Sequence, residues 1–389
     1  LFTAAGLDIA AFAPGTPEVT PRDFADTRAA WTGLSPDHTG LHIRVEAAAF
    51  RGRPVWFTIN GPWTRAARLQ RIRQSTQGKL LNGALFALML VLMGCAVLLA
   101  RHHLLAGRAD LRGANRLALA LMTVLSLTWL VSAHHVFEPW PMLQAFVRGL
   151  GMILVGAGAL WVVYLAVEPY VRRFWPDAML GWLRLLAGHV RDPRVGHDVL
   201  TGCAFGMAID LAELAYARLA PLLGAPPPNP NFGTDVLALG GLAATTRSIV
   251  ALAVNGMFTA MYCVLGFVIL RLALRRTSIA VAVGVPLLAL LQVNQVLQSG
   301  TSLAVAWAFQ LLIVATVSTM VVRYGLLVTT VAFFVGNVAD TLPLSPAAAW
   351  TTPVVLMAAG TVLGLALLGF AASRTGKPLL GAWLAEPHH

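Results

Sequence analysis

From residue 80 onward the chain is written in long apolar runs separated by short polar breaks, which is the pattern of spanning helices. A spanning helix needs about 20 mostly apolar residues, and residues 80–100 run without a charge between Lys79 and Arg101. Similar runs predict spans at about 117–134, 149–167, 199–219, 248–270, 278–297, 302–322, 324–339 and 352–373, nine in all. The stretch from Thr277 to Val322 carries no charge and is too long for one helix, so "QSGTS" at 298–302 reads as a tight turn within it. The run that starts at Tyr324 is the shortest.

The first 78 residues are patterned differently. Prolines stand at 14, 17 and 21, acids at Glu18, Asp23 and Asp26, and two runs, "LHIRVEAA" and "RPVWFTI", nearly alternate around "AFRGRP". Such alternation with Gly52 and Pro54 between the runs predicts a hairpin. About 80 residues build only a modest core, so this α+β segment reads either as a small extracytoplasmic sensor or as a cap on the helices. A second departure falls at about 170–198, where Met179, Trp182, Leu183, Leu186 and Val190 recur at i, i+3, i+4, i+7 and i+11. That spacing gives one apolar face beside Trp182, Arg184 and Arg191, which suits an elbow lying in the headgroup region or a docking surface for a cytoplasmic domain. The expected organisation is therefore a segment at 1–78, a helical membrane domain at 79–373 and a tail at 374–389.

Composition agrees. Of 389 residues, 57% are hydrophobic and 12% charged, against about one quarter charged in a soluble domain. The expected class is an all-α polytopic membrane protein with a small N-terminal segment. The net charge is +11, and Lys79 and Lys377 are the only lysines. In so apolar a chain the arginines point to topology and not to nucleic acid. Alternate loops hold Arg101, Arg108, Arg112 and Arg116, then Arg172, Arg173, Arg184, Arg191 and Arg194, then Arg271, Arg275 and Arg276, then Arg323, then Arg374 and Lys377; the intervening loops hold none. Fifteen against none predicts that these loops face the cytoplasm, with residues 1–78 outside and the C-terminus inside. The chain begins at Leu1 without a basic stretch leading into an apolar one, which predicts no signal peptide and a segment of a longer polypeptide. Cys95, Cys203 and Cys263 lie in apolar runs and read as buried thiols.

Candidate chemistry is sparse. Asp210 and Glu213 lie three residues apart inside the fourth span, on adjoining turns of one face, and ionisable groups in a membrane default to a functional reading. A proton relay, an ion site and paired catalytic carboxylates are the sharp readings; ion pairing with Arg247 or Arg148 is the plain one. Arg148, Arg218 and Arg247 fall at the outer ends of spans, where they either snorkel to the interface or pair with acids. Gln292, Asn294, Gln295 and Gln298 end the sixth span and read as interhelical glue or as a polar pathway. Gly149, Gly151, Gly156 and Gly158 predict a close helix approach. His102/His103 and His134/His135 sit at helix ends without an acid at ligand spacing, so neither a metal nor any other cofactor is expected. No HExxH, GxSxG or other catalytic motif appears.

Several stretches resemble the C-terminal membrane region of large bacterial receptor-like serine/threonine protein kinases of the acidobacterial type: "RVEAAAFRGRPVWF", "GPWTRAARLQ", "RADLRGANRLAL", "EPYVRRFWPD", "RLLAGHVRDPRVGHDVLTG" and "GKPLLGAWL". The resemblance implies a cytoplasmic kinase domain upstream in the same polypeptide, followed by a membrane crossing, with this chain as membrane anchor and sensor. No catalytic residue carries over: the β3 lysine and HRD loop of a kinase have no counterpart here, and "DFA" at 23–25 stands alone. The expected partners are the lipid bilayer, that kinase domain and an unidentified extracytoplasmic ligand. The competing reading is a transporter or ion pathway through Asp210, Glu213 and the sixth-span amides, although no inverted repeat is evident.

Overall fold

The structure, a computed structural model, describes residues 1–21, 24–36, 40–61, 76–132, 138–219, 222, 241–291, 303–341 and 352–375. Two compact units divide the chain, Leu1–Leu80 and Leu81–His389.

The first unit carries an antiparallel sheet in the order β1 (Phe12–Gly15), β2 (Thr27–Leu34), β3 (His42–Phe50) and β4 (Arg53–Asn60). The expected hairpin is β3–β4. Its two-residue loop places Arg51 and Gly52 at φ of 51° and 76°, the left-handed pair that matches the twist of the flanking strands. One face of the sheet buries Ile43 and Val45 with Phe2, Leu7 and Phe12. The Phe2 ring meets those of Phe12, Trp31 and Phe57 edge-on, at 5.1 to 5.9 Å between centroids. Glu46 is 1% exposed. Its carboxylate accepts the backbone N–H groups of Glu18 and Val19 at 3.2 and 3.0 Å and pairs with Arg44 at 2.8 Å, which ties the 16–19 segment to β3.

The second unit is helical: α1 (Thr76–Leu105), α2 (Leu111–Ser132), α3 (Pro139–Phe174), α4 (Asp177–Leu186), α5 (Pro193–Leu219), α6 (Leu242–Leu274), α7 (Thr277–Leu291), α8 (Leu303–Thr319), α9 (Leu326–Thr341) and α10 (Thr352–Ser373). Among the described residues, seven helices are long and apolar enough to cross a membrane, and two more, in α7 and α9, are apolar but shorter. Together they match the nine runs of the sequence, as a multi-pass membrane protein requires. α3 is longer than its apolar run, so Arg148 lies within the helix and not at its end.

α9 packs against both α5 and α6, and Leu326, Val328, Ala332, Val335 and Val338 are all at most 2% exposed. Small residues permit this. A Cβ on Gly202 would lie 2.6 Å from Val331, one on Gly206 2.7 Å from the Ala332 carbonyl, and one on Gly256 2.9 Å from the Phe334 nitrogen. Such small-residue seams are how apolar helices approach closely. The α3 glycines do less of this than expected: Gly149 faces Trp129, whereas Gly151, Gly156 and Gly158 have open space where a Cβ would stand.

α8 runs into one π-helical turn, Met320–Tyr324, and α9 starts after Gly325 alone. Gly325 has φ 96° and lies against the carbonyl of Ala178, so no side chain fits there. The amphipathic elbow is α4. Met179 and Trp182 are 1% and 4% exposed, and α4 packs on α3, α5, α9 and the π turn. Met179 and Trp182 are therefore covered by the protein itself, while Val190, beyond the end of α4, is 60% exposed.

Candidate functional site at the arginine-rich end of the bundle

Three chain segments distant in sequence interlock around α4. The first begins α2. Asp110 caps that helix, accepting the Gly113 N–H at 3.0 Å on one oxygen and the buried Tyr164 hydroxyl of α3 at 3.0 Å on the other. One turn further, Asn115 accepts the indole N–H of Trp161 at 2.8 Å, and Arg116 donates to the Leu186 carbonyl at the end of α4 at 3.2 Å.

The second segment is the last turns of α3. Glu168 is 1% exposed and pairs with Arg172, one helical turn on. Arg173 is exposed, its guanidinium 5.9 Å from the Phe174 ring centre. Phe174 also lies 4.9 Å from the guanidinium of Arg271, in α6, and Arg271 donates to Thr277 at 3.0 Å. His103, in the last turn of α1, is 3% exposed with its ring 4.8 Å from that of Tyr170.

The third segment joins α4 to α5. Arg184 donates to both oxygens of Asp192 at 2.7 and 2.9 Å. Asp192 also caps α5, accepting the Arg194 N–H at 2.8 Å, in a helix that starts with Pro193, where a missing N–H costs nothing. The Arg184 hydrogen bonds, and then the backbone N–H, hold the Asp192 carboxyl below the usual aspartate range. Asp198, 6% exposed, pairs with Arg194 at 3.4 Å. Its other oxygen lies against Gly181, so α4 rests directly on a buried carboxylate.

Arg172, Trp182, Arg184, Arg191 and Arg194 are thus gathered at one end of the bundle. The acids that organise them, Asp110, Glu168, Asp192 and Asp198, were not singled out in the sequence as a site. Two were readable as i, i+4 pairs, Glu168 with Arg172 and Arg194 with Asp198. Each of these carboxylates serves as a cap or an ion pair, and no nucleophile and base stand together here. Among the described residues no group of three His, Cys, Asp or Glu side chains could hold a metal ion.

Part of the intramembrane cluster lies among the described residues. Asp210 of α5 lies against α9, one carboxylate oxygen 3.6 Å from where a Cβ on Gly336 would stand. Beside it Asn337 donates to the Leu252 carbonyl at 3.3 Å and to Asn255 at 3.2 Å, joining α9 to α6. Gln292, Gln295 and Gln298 lie outside the described residues, as do His134 and His135; the amide glue expected of them is found at Asn337 and Asn255. No protein-family model matches the chain, and no curated protein or solved structure matches it either.

Proposed function

We propose that this chain is the membrane-anchoring and signal-sensing module of a bacterial serine/threonine protein kinase. Residues 1–78 lie outside the cytoplasmic membrane and the arginine-rich end faces the cytoplasm, where the catalytic domain docks. The observation that carries this reading is convergence. Two of the stretches that resemble receptor-like kinase membrane regions, at 108–119 and 184–202, meet where Arg116 donates to the Leu186 carbonyl, and Asp110 of the first takes the hydroxyl of Tyr164, one turn before a third at 168–177. Asp110, Glu168, Asp192 and Asp198 serve as helix caps or ion pairs, two of them against α4, which suits a rigid platform better than a reaction centre. The orientation is supported by the arginine distribution. The test is the coding DNA upstream of Leu1: an open frame encoding a kinase domain is expected, and a frame closed by a stop codon before any such domain overturns the proposal.

A second reading has one observation in its favour, Asp210 lying against Gly336 beside the Asn337–Asn255 hydrogen bond within the bundle. An ion or proton pathway predicts flux in proteoliposomes that is lost in Asp210→Asn. Absence of flux from the wild-type chain removes this reading.

A further inference from the structure

A cleft of about 1130 Å³ runs between α2, α5, α6, α9 and α10, with α4 and Arg191 at its arginine-rich end. Its walls are apolar, including Leu117, Val124, Val199, Met257, Phe334 and Leu365. Val124 and Leu368 line it and are 44% and 70% exposed, so it opens sideways between helices.

We propose that this cleft binds one anionic glycerophospholipid from the leaflet at the arginine-rich end. Sites for small solutes run to about 300–1,000 Å³ and carry several convergent polar groups. This one is larger and almost wholly apolar, so its inner part suits acyl chains. Its rim carries the opposite chemistry. Arg172, Arg184 and Arg194 each have a carboxylate partner. Arg116 and Arg191, which line the cleft, have none among the described residues. The Leu186 carbonyl fixes the Arg116 guanidinium through one N–H and leaves its other donors for a ligand. Guanidinium groups at an interface select phosphate oxygens. Trp182 and Thr330 also line the cleft, and their indole N–H and hydroxyl are shielded from solvent with no hydrogen-bond partner among the described residues. Ester and phosphate oxygens are acceptors for both. The inference is independent of the kinase reading.

The test uses the full chain, purified in detergent and offered equal amounts of dioleoylphosphatidylglycerol and dioleoylphosphatidylcholine, with bound lipid counted by native mass spectrometry. One phosphatidylglycerol per chain is expected. Arg116→Gln and Arg191→Gln should each lower the preference for the anionic lipid about fivefold, the weight of one interfacial charge, while Arg101→Gln, away from the cleft, leaves it unchanged. Ala120→Trp should abolish retention of both lipids with melting unchanged, and Ala371→Trp, from the opposite wall, replaces it if that variant does not fold. Equal retention of the two lipids by the wild type, or full retention by a folded tryptophan variant, overturns the proposal. So does displacement by an equal amount of oleate, which would make the ligand a single-chain anion. Retention only after removal of residues 376–389 overturns it as well, since the tail would then be the occupant.

Discussion

Glu168 shows how much of this architecture rests on single side chains. It is 1% exposed, whereas the side chain of its partner Arg172 is 59% exposed, so the pair is asymmetric. Removing the cation leaves a buried carboxylate uncompensated. Full burial would cost about 3–5 kcal/mol, and the exposure of Arg172 reduces that to about 2–3 kcal/mol for Arg172→Gln. Glu168→Gln should cost less, and the double variant should recover part of the loss. Melting in detergent, followed by tryptophan fluorescence, reads all three, and an Arg172→Gln protein that melts like the wild type refutes the assignment. Asp192 gives a pH signature. Its carboxyl is held below its ordinary value by Arg184, so its stabilising effect is present above the unfolded value of about 3.9 and is lost as pH falls through the folded one. Asp192→Asn should therefore melt lower than wild type at pH 6, and the gap should close on acidification below about pH 4. A gap that persists in acid contradicts the assignment. The i, i+4 partners were visible in the sequence; Arg184 with Asp192, across a turn, and Asp110 with Tyr164, 54 residues apart, exist only once the chain has folded.

At the scale of elements, apolar run length located, among the described residues, the seven helices long enough to cross a membrane and the two shorter apolar ones, because such a helix shows itself by composition alone. Alternation located β3 and β4. β1 and β2 escaped it, since "FAPG" and "TRAAWTGL" lack a clean period of two. The apolar face of α4 was also visible, but helical spacing gives a face without saying what covers it; here the bundle covers Met179 and Trp182. Gly325 makes that packing testable. Its φ of 96° and its contact with Ala178 leave no room for a side chain, so Gly325→Ala should lower stability by more than the roughly 1 kcal/mol of a backbone mismatch alone. Gly151→Ala, with open space at the same atom, should be neutral or stabilising by about 0.5–1 kcal/mol, as for glycine inside a helix. Equal effects of the two on melting would mean that α4 does not seat on Gly325.

For the whole molecule, the orientation is the first quantity to measure. In a background without Cys95, Cys203 and Cys263, an impermeant maleimide added to intact cells should label Ile9→Cys and leave His189→Cys unlabelled until the membrane is opened; the reverse pattern inverts the topology. Both edges of the N-terminal sheet also bear on how copies of the protein meet. β1 and β4 are its outer strands. β1 is four residues long and contains Pro14, while β4 contains Pro54 beside a break in register at Ala48 and Ala49. A proline offers no N–H for pairing, and irregular edges resist strand addition. The sheet is thus poorly suited to zip onto a second copy of itself by strand addition.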